Sequence, residues 1–179
     1  YRADPNRSLM FTLNFYNSFP TTDIRRGTGP NGLLTTTGGG TPLAGVWTNK
    51  YPRLTERGVF MRNLKILRFA EAQLNRIEAL YLTGQNALAL TELNVFAASR
   101  KGSVYTGTNL LEDILKERQK EFYGEGQRFL DLKRHNLPLV KTSNCTANCD
   151  VPGGDKLFVL PVAQTALNNN PNLKQYPGY

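Results

Sequence analysis

Histidine occurs once in the 179 residues, at position 135, and tryptophan once, while cysteine occurs twice. No apolar run approaches the roughly 18 residues that a membrane-crossing helix requires. With a single histidine, any Ser-His-Asp or Cys-His centre would have to use His135. That residue closes a basic helical stretch, where the helix dipole favours a cation, so it reads as a terminus residue rather than a base. A zinc site would need ligands beyond His135 and the cysteine pair, and no metal or other cofactor is expected. Nor is there a phosphate cradle, since Gly38-Gly39-Gly40 lacks the Lys-Ser/Thr that completes a P-loop. The start, Tyr1-Arg2-Ala3-Asp4-Pro5, carries no apolar stretch and no initiating Met. It is not a signal peptide, and the chain is expected to be a piece of a longer or processed product.

What is present describes one ordinary globular domain. Hydrophobic residues make up 40% and charged residues 20%, enough apolar content to form a core. The net charge of +8 raises nucleic acid as a partner. However, the basic residues are scattered and interleaved with acids, as in Lys116-Glu117-Arg118 and Lys120-Glu121, which reads as a solvated surface. Cys145 and Cys149 sit in a short polar loop that suits a local disulfide in an exported protein.

The chain changes character near residue 62. Before it, Met10 to Tyr16 partly alternates and is rich in aromatics, which predicts a strand. The following stretch of Gly, Pro and Thr, from Pro20 to Pro42, predicts a long irregular loop. From Asn63 the period becomes helical. Leu64, Leu67, Ala70, Leu74, Ile77 and Tyr81 predict one apolar stripe, ended by Gly84, with Phe69, Tyr81 and Phe96 in the core. Ala87 to Gly102 predicts a second helix, antiparallel to the first across a short turn. Asn109 with Glu112 forms a capping-box-like start to a third, whose buried face is Leu111, Ile114, Leu115 and Phe122. Gly124 and Gly126 break it, and Gln127 to His135 continues as a fourth. Leu157 to Leu160 reads as a short buried run, followed by a last helix over about residues 162–168. The expected division is therefore a loop-rich segment, 1–62, and a helical region, 63–179.

Three segments carry a family resemblance. Ile66 to Ala79, read Ile-Leu-Arg-Phe-Ala-Glu-Ala-Gln-Leu-Asn-Arg-Ile-Glu-Ala, is followed by Ala87-Leu88, Leu93-Asn94 and Arg100. Ile114 to Phe122 then runs into Glu125-Gly126-Gln127-Arg128-Phe129-Leu130-Asp131-Leu132-Lys133-Arg134. The third is Leu157 to Pro161, with the ending Asn170-Pro171-Asn172-Leu173-Lys174-Gln175-Tyr176-Pro177-Gly178-Tyr179. Together they resemble the C-terminal region of the SusD/RagB family of outer-membrane nutrient-binding lipoproteins, with Gln164 and Tyr176 as departures from its pattern. The resemblance implies a mainly α fold of tetratricopeptide-like helical hairpins with long irregular loops and short strands. It also implies non-catalytic capture of a glycan, or in some members a peptide, at the outer cell surface. Delivery would be to a SusC-like TonB-dependent transporter, and a lipid on an N-terminal cysteine outside this chain would supply the membrane attachment. A tetratricopeptide-like protein-interaction scaffold is the competing reading.

Glu117, Glu121 and Glu125 recur every four residues and invite comparison with paired catalytic carboxylates. Basic residues lie within three or four positions of each, and Arg128, Asp131 and Arg134 have helical pairing distance. The expectation is a structural charge network and no catalysis. A sugar site needs flat aromatic faces and planar polar groups. The loop-rich third supplies Tyr16, Asp23, Arg25, Trp47, Asn49 and Tyr51 as candidates, with core packing as the plain alternative for the rings and loop pinning for Asp23 and Arg25.

Overall fold

A computed structural model of the chain describes residues 11–27, 32–36, 45–48, 50, 66–142 and 145–179. Among these the protein is mainly helical, with four short strands. It divides into two compact units, Tyr1–Glu121 and Phe122–Tyr179, so the unit that holds the loop-rich segment also holds three of the long helices.

In the first unit, α1 (Leu13–Asn17) replaces the expected strand. The Thr12 hydroxyl caps it by accepting from the Phe15 amide at 3.1 Å. Its aromatics work at a spacing of four rather than two. Phe11 and Phe15 lie 5.8 Å apart, and Phe15 meets Phe19 edge-on at 5.1 Å. Strands β1 (Leu33–Thr36) and β2 (Gly45–Thr48) pair antiparallel, with Leu34 opposite Trp47. The stretch expected to be irregular thus contains a strand, built where Leu33, Leu34 and β-branched threonines follow Gly32. Phe11 bridges to Val46 and Arg26 to Leu33, extending the pairing on both sides.

The helical hairpin follows as α2 (Phe69–Leu82) and α3 (Asn86–Ser99), with Gly84 in the turn as expected. Helix α4 (Leu110–Glu121) packs on both. Their facing sides bury Leu74, Ile77, Leu93, Phe96, Ile114 and Leu115. The Asn109 cap forms, its side-chain oxygen accepting from the Glu112 amide at 3.4 Å while its side-chain nitrogen donates to Glu112 Oε2 at 3.0 Å. Two expectations on α2 are corrected. The helix begins at Phe69, leaving Leu67 outside it, and Phe69 is 78% exposed rather than in the core. Ala70, Leu74 and Ile77 define the inward stripe, and Phe69 sits about 100° round the helix from Ala70.

The second unit opens with two left-handed glycines, Gly124 and Gly126, at φ +73° and +81°. Helix α5 (Gln127–Arg134) follows as predicted, then β3 (Leu139–Val140), paired with β4 (Asp150–Val151). A disulfide joins Cys145 and Cys149 between these strands. Leu132, Val151 and Phe158 form the core. The expected buried run, Leu157 to Leu160, is instead a one-turn 3₁₀ helix (Lys156–Phe158) that buries Phe158 and leaves Leu160 89% exposed. Tight i+3 winding turns these side chains in different directions, so they do not share a face. Helix α6 (Gln164–Asn169) leads to the terminal motif. There the Gln175 amide pairs with both backbone groups of Val162, at 2.9 and 3.0 Å, and the Tyr179 hydroxyl donates to Lys156 O and Val159 O.

Candidate functional site

Four of the six candidate ligand residues fall on one scaffold, formed by α1, β2 and residues 23–27; Asn49 and Tyr51 lie outside the described residues. Helix α1 lies against β2, which brings the Tyr16 element beside the Trp47 strand. Trp47 is only 3% exposed, because β2 buries side chains on both faces, Val46 on one and Trp47 on the other. Tyr16 is half-buried. The Arg26 guanidinium stacks 4.3 Å from its ring centroid and donates to Phe19 O at 2.8 Å. Asn14 and Asn17 are exposed on the same short helix.

Asp23 and Arg25 sit inside a buried ionic network. The Asp23 carboxylate accepts from the Arg25 amide at 2.9 Å and from its guanidinium at 2.7 and 3.0 Å. Arg25 then reaches α4, with Nη1 at 2.8 Å from Glu117 and 3.1 Å from Glu121. Glu117 Oε1 has no aligned hydrogen bond and is held by that charge contact, while its other oxygen accepts from the Tyr105 hydroxyl at 2.7 Å. Glu121 also receives Arg68 at 2.8 Å and Arg100 at 3.2 Å, and Lys50 Nζ donates to its backbone carbonyl at 2.6 Å.

The backbone of the loop is tied as firmly. The Ile24 amide donates to Arg100 O at 3.0 Å and the Thr22 hydroxyl to Lys101 O at 2.8 Å. Orphan carbonyls at the end of α3 are thereby satisfied by the loop that Arg25 anchors. Gly102 completes the junction. A Cβ there would lie 2.9 Å from Asp23 Oδ2 and 3.2 Å from Ala97 O.

The electrostatics follow from this geometry. Burial pushes the Glu121 carboxyl up, but hydrogen bonds from Arg100 and Arg68 and the charges of Arg100 and Arg25 outweigh it and bring it down to about 2. Burial opposes the charge on Arg25, yet Asp23 and Glu117 raise its pKa above the ordinary value. Burial, then the Glu117 charge, pushes the Tyr105 phenol up. Lys120 is pushed down, chiefly by burial, and donates to Ser103 at 2.7 Å. The carboxylates are thus enclosed and matched to guanidinium groups, an arrangement that fixes a loop to a helix. No cluster of three or more metal-binding side chains occurs among the described residues.

Sequence reasoning placed charged partners within one helix turn, whereas Arg25, Arg68, Arg100 and Lys50 arrive from far along the chain. A signal was available. Leu110, Ile114, Glu117 and Glu121 fall within about 60° on one helical face, so the two carboxylates stand in the apolar stripe. A carboxylate placed there requires a cation from elsewhere. In the second unit the local expectation holds, with Arg134 at 2.8 Å from the buried Asp131.

A family model described as the SusD family matches residues 24–179. A putative sugar binding protein from Bacteroides vulgatus ATCC 8482 is 33% identical and superposes with a TM-score of 0.62 over 75% of this chain and 33% of that one. A SusD superfamily protein from Bacteroides thetaiotaomicron VPI-5482 is 27% identical, with a TM-score of 0.73 over 92% of this chain and 39% of that one. The chain therefore spans well under half the length of these similar structures. No curated protein sequence matches it.

Proposed function

The chain belongs to the SusD family, and on that premise we propose that it is part of a non-catalytic protein that binds an oligo- or polysaccharide at the outer cell surface. The observation that carries this reading is the unbroken family match over residues 24–179, joined to 33% identity with a structure described as a putative sugar binding protein. The same family membership supports delivery of the glycan to a SusC-like TonB-dependent outer-membrane transporter and attachment through a lipid outside this chain. Among the described residues no helix is long and apolar enough to cross a membrane.

We place the ligand face on the loop-rich segment, at the outer side of α1 and the end of β2. Tyr16, backed by Arg26, offers the half-exposed ring, and Asn17 beside it offers a planar amide. Asn49 and Tyr51 follow β2 in sequence and supply the same two chemistries. Trp47 supports this face from beneath, and Asp23 and Arg25 hold its loop in place.

Affinity electrophoresis of the mature protein through a panel of polysaccharides tests this. One class of glycan should retard the protein, and Tyr16→Ala should weaken binding about 3- to 10-fold, the worth of one ring contact. A folded protein that no glycan retards would overturn the reading.

A further inference from the structure

Arg25 and Arg26 are consecutive residues with opposite fates. Arg25 is buried in the ionic network, whereas Arg26 is half-buried beside Tyr16. Asp23, Glu117 and Glu121 are already matched by Arg25, Arg68 and Arg100, so the network leaves no carboxylate for Arg26. Arg76, Arg118 and Arg134 contact carboxylates as well. Arg26 has no ion pair among the described residues.

What holds Arg26 leaves most of its hydrogen-bonding capacity open. A guanidinium carries its N–H donors in a planar fork. One donor of Arg26 goes to Phe19 O at 2.8 Å. The stack on Tyr16, 4.3 Å from the ring centroid, uses the face of the group and not its edge. The backbone around it is pinned, with the Arg26 amide donating to Asp23 O at 2.9 Å and the Gly27 amide to Leu33 O at 2.7 Å. The fork is therefore held in place before any ligand arrives, which lowers the ordering cost of binding. Coplanar charged donors of this kind match an oxyanion, which accepts two of them at once, better than a neutral hydroxyl.

The surrounding sequence has the same bias. Residues 1–62 contain eight Lys and Arg against three acids, Asp4, Asp23 and Glu56, so this third of the chain carries +5 of the net +8. On the glycan-binding reading, we propose that the ligand is an acidic polysaccharide, whose uronate carboxylate or sulfate ester pairs with Arg26 while a sugar ring rests on Tyr16. The excess positive charge of the segment draws such a polymer in, and the fork supplies the directional contact.

The test is isothermal titration calorimetry of the mature protein at about 0.15 M salt, where long-range attraction is screened within about 8 Å. Polygalacturonate and alginate present carboxylates, and dextran sulfate and carrageenan present sulfates. The carboxyl-reduced or desulfated form of each is the neutral control. At least one acidic polymer should bind and its neutral form should not, and which pair responds tells carboxylate from sulfate. Arg26→Gln should weaken that binding about 10- to 100-fold. Arg26→Lys keeps the charge and a donor for Phe19 O but lacks the fork, and should weaken it at least about 3-fold without lowering Tm. Lys174→Gln removes an exposed charge from the other unit and is the reference. Equal losses in the Arg26 and Lys174 variants would overturn the proposal, since diffuse attraction to a basic protein treats both alike. Binding to neutral polymers only would overturn it and leave the glycan reading standing. Binding to none of the polymers, acidic or neutral, would overturn both.

Discussion

Arg25 and Glu121 stand 96 positions apart and meet at 3.1 Å in the interior of the first unit. Each has a further partner of opposite charge, Asp23 for the one and Arg68 with Arg100 for the other. Removing one member of such a set leaves the remainder buried and mismatched, which costs far more than the intact set contributes.

Glu121→Ala should therefore lower unfolding free energy by about 3–5 kcal/mol, because Arg25, Arg68 and Arg100 all lose a carboxylate at once. Urea denaturation of the mature protein checks this. A loss below about 1 kcal/mol would mean that the network is no stronger than a surface ion pair.

Acid should act through the same residue. The Glu121 carboxyl titrates at about 2 in the folded protein against 4.5 ordinarily. A depressed carboxylate stabilises fully above its unfolded value and loses that contribution as pH falls through the folded one. Stability should thus decline between pH 4.5 and about 2, and Glu121→Gln should flatten that part of the profile.

Gly102→Ala tests the junction from the backbone side. The added methyl meets Asp23 Oδ2 and the Ala97 carbonyl, neither of which can withdraw without breaking the network. A loss of about 1–3 kcal/mol is expected. Thermal unfolding indistinguishable from the parent would show that the loop has room to shift.

At the other end of the chain, Gln175→Ala removes both hydrogen bonds to Val162. About 1–3 kcal/mol should be lost from the second unit. Gln175→Glu should not rescue it, since a carboxylate accepts from the Val162 amide but cannot donate to its carbonyl.

The elements legible in the sequence are those whose signals are local. The apolar stripes of α2 to α4, and the Asn109–Glu112 cap, the Gly84 turn and the two glycines before α5 that bound the helices, all act within a few residues. Phe69 was misread because periodicity tells which residues share a face, not where the helix begins. Helix α1 was misread because Phe11, Phe15 and Phe19 satisfy aromatic alternation and a spacing of four together, and Thr12 decides between them only by capping. The partners of Glu117 and Glu121 were invisible for a different reason. Their positions in the apolar stripe of α4 demand cations, but nothing in the neighbouring sequence says that Arg25, Arg68 and Arg100 supply them.

The span between Arg25 and α4 also orders events in time. Helices α2, α3 and α4 close on one another through short connections, whereas the Asp23–Gly27 loop has no docking surface until Glu121 has been made and wound into its helix. Long loops close late and at an entropic cost that only finished contacts repay. As the ribosome delivers the chain, the Asp23–Gly27 loop is thus synthesised early and settles last. Pulse-labelled amides of residues 23–27 should gain protection only after those of α4.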